Sequence, residues 1–118
     1  MKDFNRETLE MRASQGLVVK ENIFSLRGGN GCSHIYKDLK PNDPRSYETG
    51  CIVLEKGASI GMHRHDRDSE TYTVLVGAVE ICGKLYYAGS SVTCFEGESH
   101  NAINRNDGDS ILDFSKSV

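Results

Sequence analysis

An all-β domain is the fold class that this sequence predicts, and three observations carry it. From Leu17 onward, short runs rich in Val, Ile, Tyr and Thr are broken at close intervals by Gly, Asn, Asp and Ser, the punctuation of a sandwich or barrel. The apolar share is a modest 37%, which suits a small barrel better than a helical bundle. Nowhere does an apolar stripe recur at helical spacing for long enough to build a helix-packed core.

The elements follow in order. Residues 5–14 form the one helix-like stretch, with Asn5 as its cap and only Leu9 and Met11 as sparse apolar anchors. Strands are expected at 17–19, 23–27, 32–39, 50–56, 61–65, 70–76, 78–82, 84–88, 91–94, 100–104 and 110–114. Gly28-Gly29-Asn30-Gly31 and Asn106-Asp107-Gly108 supply residues that tolerate positive φ, so both are turns. Pro41 and Pro44 mark residues 40–46 as a loop leading into the strand at Gly50.

A chain of 118 residues is one compact domain by default, spanning 1–118. Its 14 Lys and Arg against 17 Asp and Glu leave a formal charge of −3, with the basic residues scattered. Nucleic acid is therefore a poor partner, because the counterion-release term that dominates such binding has no basic patch to drive it. No apolar run approaches the ~20 residues that cross a bilayer, and Met1 to Glu7 is too polar for a signal peptide. The expectation is a soluble, cytoplasmic protein with no membrane partner. Cys32, Cys51, Cys82 and Cys94 show no CxxC spacing and read as reduced thiols, the last three as small buried apolar residues.

The chemistry concentrates in four residues. His63 and His65 lie two apart in a stretch that reads as a strand, so their imidazoles project from one face. Glu70 opens the next strand across the polar turn Asp66-Arg67-Asp68-Ser69, and His100 opens another after Phe95-Glu96-Gly97-Glu98-Ser99. Three imidazoles and one carboxylate make a plausible site for one divalent transition metal, Fe, Mn, Ni, Co, Cu or Zn, with coordination positions left open for chemistry. Tyr72, Ser99 and Asn104 are candidate partners to orient these ligands. Tyr72, Val74 and Val76 should share a face with Glu70, and Tyr72 is the candidate catalytic residue. Tyr36 and Phe114 are either core residues or part of the pocket mouth, and His34 reads as a surface or turn-flanking histidine. Ser99-His100 has no oriented Asp partner, and the glycine run 28–31 lacks a Walker lysine, so hydrolase and phosphate-cradle readings are set aside.

Two stretches resemble the signatures of the cupin superfamily. Gly57-Ala58-Ser59-Ile60-Gly61-Met62-His63-Arg64-His65-Asp66-Arg67-Asp68-Ser69-Glu70, with Gly77 beyond, is similar to the first signature at every defining position. Gly89, Phe95-Glu96-Gly97, His100 and Asn104 resemble the second, with Phe95 in place of the usual proline. The resemblance implies a double-stranded β-helix (cupin, jelly-roll) barrel over residues 17–118 with residues 1–16 as an N-terminal extension. It implies a metal held by His63, His65, Glu70 and His100, a compact hairpin over 78–88, and a homodimer with N-terminal strands packed across its interface. The function it implies is a metal-dependent enzyme acting on a small organic molecule by isomerisation, dioxygenation, decarboxylation or elimination. The competing expectation is a non-catalytic module that binds or senses a small acid or sugar.

Overall fold

A computed structural model describes residues 5–118; Met1 to Phe4, part of the stretch judged too polar for a signal peptide, lie outside the described residues. The order is α1 (Arg6–Ser14), β1 (Val18–Phe24), β2 (Cys32–Asp38), β3 (Glu48–Leu54), β4 (Ser59–His63), β5 (Ser69–Val76), β6 (Ala78–Ile81), β7 (Lys84–Tyr87), β8 (Ser91–Cys94), β9 (His100–Asn104) and β10 (Ser110–Ser117). Two antiparallel sheets result, one of six strands in the order β1-β2-β3-β10-β5-β8 and one of four in the order β4-β9-β6-β7. No helix among the described residues is long and apolar enough to cross a membrane.

The strands expected at 17–19 and 23–27 form one continuous strand, β1, paired with β2 from Val18 opposite Asp38 to Phe24 opposite Cys32, with Leu17 and residues 25–27 outside it. Arg27 leaves that strand for a tight turn in which Ser25, Arg27 and Gly28 all have positive φ. The two stretches are joined because Lys20, Glu21 and Asn22 complete the ladder through backbone groups, which polar side chains on an edge strand do not prevent.

The six-stranded sheet buries its inner face against the other sheet and part of its outer face under α1. Between the sheets lie Ile52, Leu54, Ile60, Tyr72, Val74 and Leu112 with their neighbours. On the outer face, Leu9 of α1 packs onto Val18, Tyr36, Cys51, Val53 and Ile111. This is why β3 is buried continuously from Thr49 to Leu54 instead of alternating. The helix needs little apolar stripe, because its start is secured by a capping box. Asn5 Oδ1 accepts from Thr8 N–H at 3.0 Å, and Thr8 Oγ1 takes the Asn5 N–H at 3.3 Å. Tyr36 belongs to this outer cluster, with its hydroxyl donating to Glu10, and is not at the pocket mouth. A bulge in the β5–β10 register between Ile111 and Leu112 turns Val76 toward the outer cluster, so only Tyr72 and Val74 stay with Glu70.

The thiols are free. Burial pushes those of Cys51 and Cys94 up to about 12, whereas Cys82 is exposed at the β6–β7 turn with φ 51° and is not the buried residue expected.

Asp113 is the costly residue under α1. Burial, with Asp38 beside it, raises its carboxyl to about 6. A carboxyl held above its ordinary value favours the folded state at low pH, and this contribution is lost as pH rises from about 4 through 6. Asp113→Asn is therefore expected to stabilise the protein at pH 7 by about 1–2 kcal/mol after allowance for partial exposure, with the gain vanishing below about pH 4. Urea unfolding at both pH values measures it; no gain at pH 7 contradicts the buried charge.

Candidate metal centre

β4 and β9 bring two histidines face to face. Ile60 pairs with Ala102 and His63 with His100, so β4 uses one residue more than its partner across this interval. Simple alternation from the buried Ile60 would turn Met62 inward and His63 outward. The extra residue reverses this, leaving Met62 60% exposed and aiming His63 at His100 with ring centroids 4.2 Å apart. Strand β4 ends at His63, so His65 stands in the following loop. The convergence of His63 and His65 thus comes from a bulge and a loop, correcting the expectation of a regular strand over 61–65.

Gly61 permits this path. A Cβ there would collide with the Arg27 carbonyl, and a Cβ on Gly29 would collide with the Ser59 carbonyl. Two bare backbones therefore pack against one another, bringing the Arg27 turn onto β4. The Gly61 carbonyl also accepts from His63 Nδ1 at 2.8 Å, which leaves Nε2 as the free nitrogen.

The other ligating atoms are directed similarly. His65 Nδ1 lies 3.1 Å from Asp68 Oδ1 and its Nε2 lies 3.2 Å from Glu70 Oε1. His100 Nδ1 is 3.4 Å from the Glu98 carbonyl. Its Nε2 is 3.4 Å from Glu70 Oε1, outside hydrogen-bond geometry, and is a buried polar atom with no partner. The four donor atoms of His63, His65, Glu70 and His100 all lie within 4.8 Å of one another. An orphaned nitrogen aimed into a cluster of nitrogen and oxygen donors fits a divalent transition ion.

Electrostatics leave the donors ready. Burial lowers the pKa of both His63 and His65, so both rings are neutral at pH 7. Burial works against ionisation of Glu70, but His100, the Tyr72 hydroxyl and Lys116 together hold its carboxyl below the usual range. Tyr72 donates to Glu70 Oε1 at 2.7 Å, and burial with the adjacent carboxylate keeps the phenol protonated far above its ordinary value.

Sequence reasoning named other partners that lie elsewhere. Asn104 Nδ2 donates to the carbonyls of Leu54, Glu55 and Gly108 at 2.8–3.0 Å, while its Oδ1 accepts from Asn106 N–H and the Ser110 hydroxyl. It stitches loops together. Ser99 is exposed. The Gly61 and Glu98 carbonyls orient His63 and His100, and Asp68 Oδ1 stands 3.1 Å from His65 Nδ1 outside hydrogen-bond geometry. Backbone carbonyls carry no sequence signal, although Asp68 could have been found by its place between two candidate ligands.

His63, His65 and Glu70 line a cavity of about 110 Å³ together with Leu26, Ile52, Ile60 and Phe114, and Arg27, Lys116 and Glu48 also contribute to its wall. Phe114 thus lines the pocket as well as the core. Lys116 pairs with Glu48 at 3.1 Å, while Arg27 makes no salt bridge among the described residues.

No protein-family model matches the chain. A Thermotoga maritima protein named oxalate-binding protein is 30% identical, over 88% of this chain and 94% of that protein. A crystal structure of a Thermotoga maritima protein described as a predicted oxalate decarboxylase superposes with a TM-score of 0.75 at 25% identity, covering 87% of this chain and 95% of that one. A cupin 2 conserved barrel domain protein from Salinispora arenicola superposes at 0.59 with 22% identity, over 71% of this chain and 76% of that one, a likeness of fold.

Gly61→Ala tests the bulge. The added methyl must displace the Arg27 turn, and the expected cost is about 1–3 kcal/mol. It is read from the urea midpoint, together with altered His63 ring resonances in NMR spectra. A variant matching the parent in both contradicts the close packing of the two glycine backbones.

Proposed function

Because the chain belongs to the cupin superfamily and has its double-stranded β-helix fold, we propose that it holds one divalent transition-metal ion through His63, His65, Glu70 and His100 and binds a small organic acid beside it. The supporting observation is the small cavity that His63, His65 and Glu70 of the donor set line together with apolar side chains, Arg27 and the Lys116–Glu48 pair. A cavity of about 110 Å³ takes only a compact molecule, and Arg27, which makes no salt bridge among the described residues, favours an anion there, since Lys116 is already paired with Glu48. Oxalate, named for the Thermotoga maritima relative, has the charge and size for this pocket.

When bound, the ion supplies Lewis acidity that polarises a carboxylate or carbonyl oxygen held against it. Arg27 receives the carboxylate charge through the paired N–H donors of its guanidinium. Leu26, Ile52, Ile60 and Phe114 keep water away from the bound acid. Tyr72 fixes the rotamer of Glu70 through its hydroxyl.

In the enzyme reading Tyr72 is also the proton carrier, and decarboxylation is the reaction type among those the family offers. The binding reading is favoured by one observation: the Tyr72 hydroxyl is already engaged by Glu70 and carries a strongly raised pKa. Metal-loaded protein incubated with oxalate separates the two. A decarboxylase releases carbon dioxide and formate, whereas a binding protein returns oxalate intact. Pairing of two copies through the edge strand β1, where Val19 and Phe24 are exposed, belongs to the same proposal.

His63→Ala and His100→Ala are each expected to lose bound metal while the barrel still folds, since β packing supplies most of the stability in a domain of this size. Elemental analysis beside circular dichroism checks this, and unchanged stoichiometric metal in either variant rejects the ligand set. Arg27→Gln is expected to weaken oxalate binding to the metal-loaded protein about tenfold in titration calorimetry, by loss of a charge-assisted contact. Equal affinity in variant and parent removes Arg27 from the acid-binding role.

A further inference from the structure

The outer face of the six-stranded sheet carries a second convergent donor set, opposite the pocket. Cys32 and His34 lie two apart on β2 and face the α1 side, since Tyr36, next in the alternation, lies in the outer cluster while Ile35 lines the pocket. Glu55, just past the end of β3, is held opposite Cys32 by the bond from its N–H to the Cys32 carbonyl at 3.2 Å. His34 is only 6% exposed, not the surface histidine expected from the sequence.

Its surroundings are one-sided. Asn22 Oδ1 accepts from His34 Nδ1 at 2.5 Å, which turns Nε2 toward Cys32 Sγ, 3.7 Å away, and Glu55 Oε2, 2.6 Å away, a distance at which one proton is shared between ring and carboxylate. Arg6 stands against the same donors: Nη2 lies 3.2 Å from His34 Nε2, while Nη1 lies 3.8 Å from Glu55 Oε2 and pairs with Asp109 at 3.3 Å.

The donors themselves suit a metal. Sulfur, nitrogen and oxygen atoms from three side chains all lie within 4.8 Å of one another. For tetrahedral Zn²⁺ with its usual bond lengths, a thiolate sulfur and an imidazole nitrogen stand ~3.5 Å apart and a nitrogen and a carboxylate oxygen ~3.3 Å apart; Cys32 and His34 are close to this at 3.7 Å, whereas Glu55 Oε2, 2.6 Å from His34 Nε2, draws back on metal entry. We propose that Cys32, His34 and Glu55 form a second site for a borderline-soft divalent ion such as Zn²⁺, with Arg6 moving aside on entry. The ion displaces the thiol proton of Cys32 to solvent and replaces any proton shared between His34 and Glu55. This site is independent of the proposed centre at His63, which contains no sulfur.

That chemical difference supplies the test. Full-length, fully reduced protein is titrated anaerobically with Co²⁺ while the near-ultraviolet sulfur-to-cobalt charge-transfer absorption is followed, a band to which nitrogen and oxygen ligands contribute nothing. The expected result is a band that reaches the amplitude of one Co²⁺ per chain within two equivalents in the parent, whose first centre also takes the ion, and saturates at one equivalent in a His63→Ala, His100→Ala double variant. It is abolished by Cys32→Ser, retained in Cys82→Ser, and shifted to about tenfold weaker Co²⁺ affinity by Glu55→Gln, whose exposed position makes loss of folding an unsuitable explanation. Absence of the band in the parent, its persistence in Cys32→Ser, or indifference to Glu55→Gln overturns the site.

Discussion

The one-residue slip between β4 and β9 is the constraint on which the candidate centre depends. It sets His63 opposite His100, sends Met62 to solvent, and is possible because Gly61 and Gly29 allow two backbones to lie closer than any side chain permits. The same contact carries the Arg27 turn to the edge of the pocket. One local irregularity therefore positions both a candidate ligand, His63, and the Arg27 cation at the cavity.

Glu70 is the electrostatic counterpart of that geometry. A buried carboxylate is costly unless its oxygens are occupied, and here one oxygen receives the Tyr72 hydroxyl while two imidazole nitrogens stand within 3.4 Å of it. Because His63 and His65 are kept neutral by burial, the cluster carries more acceptor capacity than its protons can fill. The unpartnered Nε2 of His100 expresses that imbalance, and a cation relieves it.

The six-stranded sheet shows how a small chain uses two faces. Its inner face supplies the apolar wall of the pocket, while α1 covers the outer face with one buried leucine, a capping box and the Tyr36 to Glu10 hydrogen bond. Covering that face also encloses polar groups: Asp113 with its raised pKa, and His34 beside Cys32 and Glu55. Both arise because a strand buried on two sides has no solvent face on which to place its polar residues.

By itself the sequence determined the β class, most turns, and which residues make up the candidate donor cluster, because strand alternation, glycine punctuation and the spacing of His63, His65, Glu70 and His100 are local properties of the chain. It misjudged what depends on partners distant along it. Alternation alone aims His63 outward, and only pairing with β9 reveals the bulge that turns it in. His34 looked superficial until α1 and β1 closed over it, and Asn104 looked like a ligand partner until three backbone carbonyls came within reach of its amide. Arg27 and Lys116 carry no motif; they meet at the pocket because a glycine-lined turn and the end of the longest inner strand converge there. Residue type and spacing specify which chemistry is present, whereas the register between strands decides which face it reaches, since one residue of slip reverses every side chain beyond it.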